Sequence, residues 1–228
     1  MSGLYERPQW VKHFNQFGPA SGGAAYLVPL EATSLLAAAK QAAGLEDYGD
    51  DYFGGPEWRE DLDALLWSLN NEAKLHALGR LMVRAELLRT LQVRLRLTAF
   101  WQSQPQVLDT KVNAPIIISG AARTGTSILQ ETLSEDMQFH LPYTWKCLDP
   151  LPLATNREED IAHRIEKAQC EAEFWVDVQP EIRAQHDFGA ELPTECIPMM
   201  SIDYCHDYWG MVANMPTWDA RRMEKSYF

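Results

Sequence analysis

One stretch constrains this chain more than any other: residues 114–133, APIIISGAARTGTSILQETL. Pro115-Ile116-Ile117-Ile118 is a short apolar run, the pattern of a buried parallel strand. Gly120 to Ser127 is a loop of small residues, and Ser127 to Leu133 reads as a helix opening directly from it. Strand, loop and helix N-terminus in that order make an anion cradle. Successive backbone N–H groups point into one concavity, the helix dipole adds partial positive charge, and glycines let the backbone approach an oxyanion closely. The loop fits G-x-x-x-x-G-K-[ST] at every fixed position except the lysine, which is Thr126 here.

That exception bears on the chemistry. In a nucleotide triphosphatase the loop lysine reaches the β- and γ-phosphates and the next hydroxyl binds magnesium. Thr126 carries no charge. Arg123, three residues earlier, supplies a planar cation able to engage oxyanions in bidentate fashion. Thr124, Thr126 and Ser127 add hydroxyl donors. Such a loop suits a 5′-phosphate or phosphosulfate better than a metal-bridged triphosphate. A Walker B partner would be an apolar strand ending in Asp. The nearest candidate, Ile197 to Asp203, has Pro198 inside it, which demotes a central strand.

Charge and cysteine usage narrow the class further. A formal net charge of −12 argues against a nucleic-acid backbone as partner, because counterion release needs a basic face. Eight carboxylates fall between Glu46 and Asp63 and read as a solvated loop and helix start, not a metal site. Cys147, Cys170, Cys196 and Cys205 form no C-x-x-C pair, so neither zinc nor a disulfide framework is expected. Cys205-His206-Asp207 is discounted as a catalytic cluster, since adjacent residues on one element rarely converge on one atom. No leader pattern opens the chain and no apolar run reaches eighteen residues, so a soluble cytoplasmic protein without a membrane span is expected.

Elsewhere the pattern is mostly helical. Residues 1–29, punctuated by proline and glycine, read as an irregular arm. Glu31 to Ala43 is a helix with Gly44 as its stop. A long helical region runs from about Asp61 to Phe100, with a break expected near Gly79. Leu75, Leu78, Met82, Ala85, Leu88, Leu91 and Leu95 form its apolar stripe. Arg80, Arg84, Arg89, Arg94 and Arg96 are expected on its solvated or salt-bridged faces. Phe139 to Tyr143 is a candidate second strand. Thr155 or Asn156 opens a helix to about Trp175, through capping-box spacing to Glu158 or Glu159. Glu195 to Met215 is expected to contain another helix.

The segment PIIISGAARTGTSILQETLSEDMQFHLPYTWKCLDPLP resembles the signature of sulfotransferases that use 3′-phosphoadenosine 5′-phosphosulfate (PAPS). The family pattern is roughly P-[IV]-F-I-x-G-x-x-R-T-G-T-[ST]-x-L, followed by P-x-T-W-E-x-x-x-P-x-P. The similarity extends upstream to Arg94–Trp101 and downstream to His186–Cys196, and covers roughly residues 30–228. It implies an α/β fold of the P-loop sulfotransferase type, predominantly helical in this chain with an incomplete parallel sheet. The expected division is an N-terminal arm and helical region over residues 1–110, then the first part of the sulfotransferase domain over residues 111–228. In the family a later strand and loop supply the arginine and serine that hold the 3′-phosphate. The chain stops before that block, so a fragment, a non-catalytic anion-binding remnant, an oligomer, or dependence on a missing C-terminal segment is expected.

The implied reaction moves a sulfuryl group from PAPS to a hydroxyl or amine of a small-molecule acceptor, without metal. Arg123, Thr124, Gly125, Thr126 and Ser127 are the expected 5′-phosphosulfate binders. The family's P-x-T-W-E glutamate is replaced by Lys146, which could instead stabilise the transferring oxygens. His186, opening the block like H-x-x-G-A-x-x-P-x-E, is the first candidate for the base. Glu191 is the second, beside Glu195, and His140 the third. Trp145, Phe188 and Trp209 are candidates for an apolar acceptor pocket. A P-loop kinase or triphosphatase is the competing enzyme class.

Overall fold

The computed structural model describes residues 6–50, 55–121, 124–184, 186–204, 209–210 and 213–224. It divides into two compact units, Met1–Ala99 with Met200–Phe228, and Phe100–Met199.

The first unit is built from helices α1 (Gln9–Ala20), α2 (Ala24–Leu27), α3 (Ala32–Ala43), α4 (Trp58–Asn71), α10 (Pro216–Glu224) and most of the long α5 (Ala77–Ser103). The expected irregular arm therefore contains helix. Pro8 occupies the N-cap of α1, where a missing N–H costs nothing, and Pro19 falls in its last turn. α3 ends as expected: Gly44 takes the left-handed conformation at φ 65°. α4 buries Trp58, Leu62, Leu65, Leu66 and Leu69, one face at helical spacing. α5 answers with Val83, Leu87, Leu91 and Leu95, four residues apart, joined by Tyr204, Trp209, Met215 and Trp218. Each fully buried leucine contributes roughly 2 kcal/mol.

The break between α4 and α5 falls at residues 72–76, not at Gly79. Lys74 sits there at φ 50°, while Gly79 lies inside α5. Three of the arginines expected on solvated or salt-bridged faces are inside, and of these Arg89 pairs with Glu86. Arg80, Arg89 and Arg94 are buried, and Arg94 is fully enclosed. Arg94 donates from Nε to the Tyr48 carbonyl (2.8 Å) and from Nη1 to that of Ile202 (3.0 Å). Its guanidinium stacks 4.3 Å from the Trp58 ring.

The second unit carries α6 (Thr126–Ser134), α7 (Thr144–Leu148) and α8 (Arg157–Val178). Asn156 is the cap of α8, its side chain accepting from Glu158 and Glu159 N–H (2.9 and 3.2 Å). Gln179 and Pro180 close the helix. The range 195–215, expected to contain a helix, carries among its described residues α9 (Ile197–Met200), a 3-10 turn, Ser201–Asp203, and helical residues at 209–210.

The parallel sheet is not formed among the described residues. Residues 115–119 take no regular secondary structure, and Ile116 and Ile117 are 64% and 82% exposed. The expected strand at residues 139–143 is reduced to an isolated antiparallel bridge between Tyr143 and Pro193. A strand exists through its ladder, and no described segment donates or accepts along residues 115–119 as a ladder partner.

Candidate active site

Sequence sets the geometry of the glycine loop at two points. Gly125 is the N-cap of α6 and stands at φ 93°, a conformation that strains any residue with a Cβ. Gly120 is held by close approach instead. A Cβ there would meet the Thr124 hydroxyl at 2.9 Å and the Thr126 methyl at 3.1 Å. The loop folds on itself through Thr124, whose hydroxyl donates to the Ala121 carbonyl (2.6 Å). Among the described residues, its chain neighbours aside, no atom lies within 4 Å of the Cβ position at Gly125. The first-turn N–H groups of α6 have no acceptor within the helix. Arg123, the loop's cation, lies outside the described residues.

Thr126 and Ser127 form one wall of a cleft of about 890 Å³. Residues 112–120 make a second wall, residues 138–142 a third, and Thr194, Glu195, Cys196 and Met199 a fourth. Two titratable candidates from the sequence, Glu195 and His140, line the same cleft as Thr126 and Ser127. His186, Glu191 and Lys146 are not in this lining. The His186 ring packs 5.1 Å from that of Phe188, and the Lys146 ammonium lies 5.0 Å from the Tyr143 ring. Of the expected acceptor aromatics, Trp209 is buried in the first unit's core and Trp145 stacks on the Arg164 guanidinium at 4.6 Å. Cys205-His206-Asp207 lies outside the described residues. Among the described residues no metal-binding cluster is present, and Ile197 to Asp203, the one Walker B candidate, is helical.

A small framework fixes the cleft's fourth wall. Thr144 N–H donates to the Leu192 carbonyl (3.0 Å), Trp145 N–H to Ala190 (3.1 Å), and Thr194 N–H to Pro142 (2.8 Å). Gln169 of α8 accepts from Ala190 N–H at 3.1 Å. Beneath it Asp160, only 3% exposed, accepts from Leu153 N–H, from Ala154 N–H (3.2 Å) and from Arg164 (3.2 Å). Arg164 also donates to the Asp149 carbonyl, and Lys167 to the Asp149 carboxylate (2.7 Å). Burial pushes the Asp160 carboxyl up, but these donors outweigh it and hold it below the usual 3.8. The aromatic and charged residues of the Tyr143–Pro193 region thus serve the frame that presents Glu195. The signal that could have found this was the pair Asp160 and Arg164, four residues apart on a helix.

The fold of this chain resembles that of solved sulfotransferase structures. The chain matches the solved structure of the sulfotransferase STF1 from Mycobacterium tuberculosis H37Rv with a TM-score of 0.70 and 24% identity, over 86% of its residues. It matches the sulfotransferase STF9 from Mycobacterium avium with a TM-score of 0.69 and 24% identity, again over 86% of its residues. The chain spans about half the length of these structures, 53% of STF1 and 49% of STF9. No family model and no curated relative matches the sequence.

Proposed function

We propose that the chain binds the 5′-phosphosulfate end of PAPS and contributes the donor half of a sulfotransferase site. The observation that carries this is the start of α6: left-handed Gly125 at its N-cap, two hydroxyl residues in the first turn, and a loop without the triphosphatase lysine. The sulfotransferase fold of the chain supports the same reading. The residues fit the group. Thr126 and Ser127 offer backbone N–H and hydroxyl donors, and Arg123 of the same loop a cation for two oxygens, while the Thr124 hydroxyl donates to the Ala121 carbonyl and holds the loop's shape. The bound donor supplies an activated sulfuryl group.

The chain's own residues then have two tasks. The loop neutralises charge that grows on the departing 5′-phosphate, an electrostatic contribution that requires donors fixed in advance. A base in the same cleft takes the proton of an acceptor hydroxyl or amine. Glu195 fits that role better than His186 or Glu191 because it shares the cleft lining with Thr126 and Ser127. His140 and Cys196 are further titratable groups of that lining, and Lys146 does not line it. The acceptor is a small molecule.

Calorimetric titration with adenosine 3′,5′-bisphosphate, beside ATP with magnesium, tests the reading. Binding of the bisphosphate alone, weakened by Arg123→Ala by about 2 kcal/mol, is the expected result. Preference for magnesium-ATP would move the chain to the kinase class. Silence with both ligands would leave a fold without the donor site.

A further inference from the structure

Gln130 sits on α6 one helical turn after the loop hydroxyls, and it lines the same cleft. Its side-chain amide donates from Nε2 to the main-chain carbonyl of Thr194 at 2.8 Å. The N–H of that same residue donates to the Pro142 carbonyl at 2.8 Å. Thr194 is thereby pinned on both sides of its Cα, and the peptide that leaves it enters Glu195. Residues 194–196 belong to no helix or strand, so no ladder fixes their position. The preceding residue, Pro193, has no N–H to offer, and its pairing with Tyr143 is an isolated bridge.

We infer that Gln130 is a positioning residue that ties the Glu195 segment to the donor-binding helix, so that loop and base keep one distance. The inference rests on the donor-site reading above for its catalytic meaning, but the tie itself does not. The chemistry of the side chain is specific. The neutral amide reaches the carbonyl and donates to it without bringing a charge into the cleft. A glutamate at position 130 would set a carboxylate against the carbonyl oxygen, and asparagine is one methylene short. His140, on the 138–142 wall, and Cys196 are the other titratable residues lining the cleft, and the protonation of His140 is followed in parallel.

The test uses Gln130→Leu and Gln130→Asn, with the Glu195 carboxyl followed by 13C NMR against pH, with and without adenosine 3′,5′-bisphosphate. Glu195→Gln supplies the assignment. An anion held at a fixed short distance raises a carboxyl's titration midpoint. In the unmodified chain the bisphosphate is expected to raise it by about half a unit or more. In Gln130→Leu that rise is expected to fall to less than half, while the dissociation constant for the bisphosphate changes less than about twofold, because the loop is untouched. A rise of equal size in both variants overturns the inference. Amide exchange separates this from failure of the donor reading. If the unmodified chain binds no bisphosphate, that reading falls. The tie is then judged on whether Gln130→Leu speeds exchange at residues 194–196 about tenfold or more while leaving α8 protected. Unchanged exchange there overturns it.

Discussion

Arg80, Arg84 and Arg94 donate to main-chain carbonyls of segments that have little structure of their own. Arg80 reaches Val28 (2.8 Å), Arg84 reaches Pro29 (2.8 Å), and Arg94 reaches Tyr48 and Ile202. A buried carbonyl without a donor is costly, so a guanidinium with five N–H groups fastens a connecting segment against a helix. From sequence such arginines look like solvated helix faces, because charge alone does not reveal that a loop will cross above them. Cysteine spacing carries no pattern for a disulfide framework or a zinc site. The structure adds a ranking. Cys147 is buried and its thiol is pushed up to about 11, burial outweighing the opposing pull of the Lys146 ammonium. Cys170 and Cys196 are exposed. Alkylation with iodoacetamide at pH 8, read by peptide mass mapping, should modify Cys170 and Cys196 at least about tenfold faster than Cys147. Equal rates in the folded chain would contradict the burial of Cys147.

At the scale of elements, helices with strong local signals were readable in place and strands were not. Gly44 and Asn156 mark their helix ends by mechanisms that act within a few residues. The glycine loop was readable for the same reason, since a positive φ at Gly125 and the crowding at Gly120 are local demands. Residues 115–119 carry a strand-like pattern, but a strand needs partners remote in sequence, and the pattern cannot supply them. The frame under Glu195 also depends on a remote pairing, and it makes a pH prediction. Asp160 is held below 3.8 in the folded chain. A depressed carboxyl contributes stability that is present above its unfolded value and is lost as pH falls through the folded value. Unfolding of the second unit, followed by denaturant titration, should therefore become easier as pH drops below about 4. Asp160→Asn should remove that component of the pH dependence and cost about 3 kcal/mol at pH 7, because Arg164 is left buried without its counter-charge. An unaltered midpoint at pH 7 would exclude Asp160 as the anchor of the frame.

For the whole molecule the unusual property is where apolar surface remains. From Val112 to Gln130 there is no carboxylate, although the chain holds 32 acidic residues. Within that stretch Ile116, Ile117 and Ile128 are exposed, and Met137 beyond it is 94% exposed. Residues 115–119 also present backbone N–H and C=O groups that no described neighbour pairs. An exposed apolar segment with free backbone groups and no charged gatekeeper is a template for another strand, whether from more polypeptide or from a second copy. The net charge of −12 opposes self-association elsewhere on the surface, but the stretch without carboxylates does not share in it. This chain by itself is therefore expected to sediment, at tens of micromolar, as species heavier than its 26.0 kDa monomer. Ile117→Lys should return it toward the monomer, because a lysine on the open edge both repels a second copy and remains solvated. The substitution costs the folded chain little, since Ile117 is 82% exposed and packs on almost nothing. Sedimentation velocity across a concentration series decides the matter. A monomer at every concentration would show that these isoleucines, for all their exposure, are not a pairing edge, and that the strand-like pattern of residues 115–118 has another use.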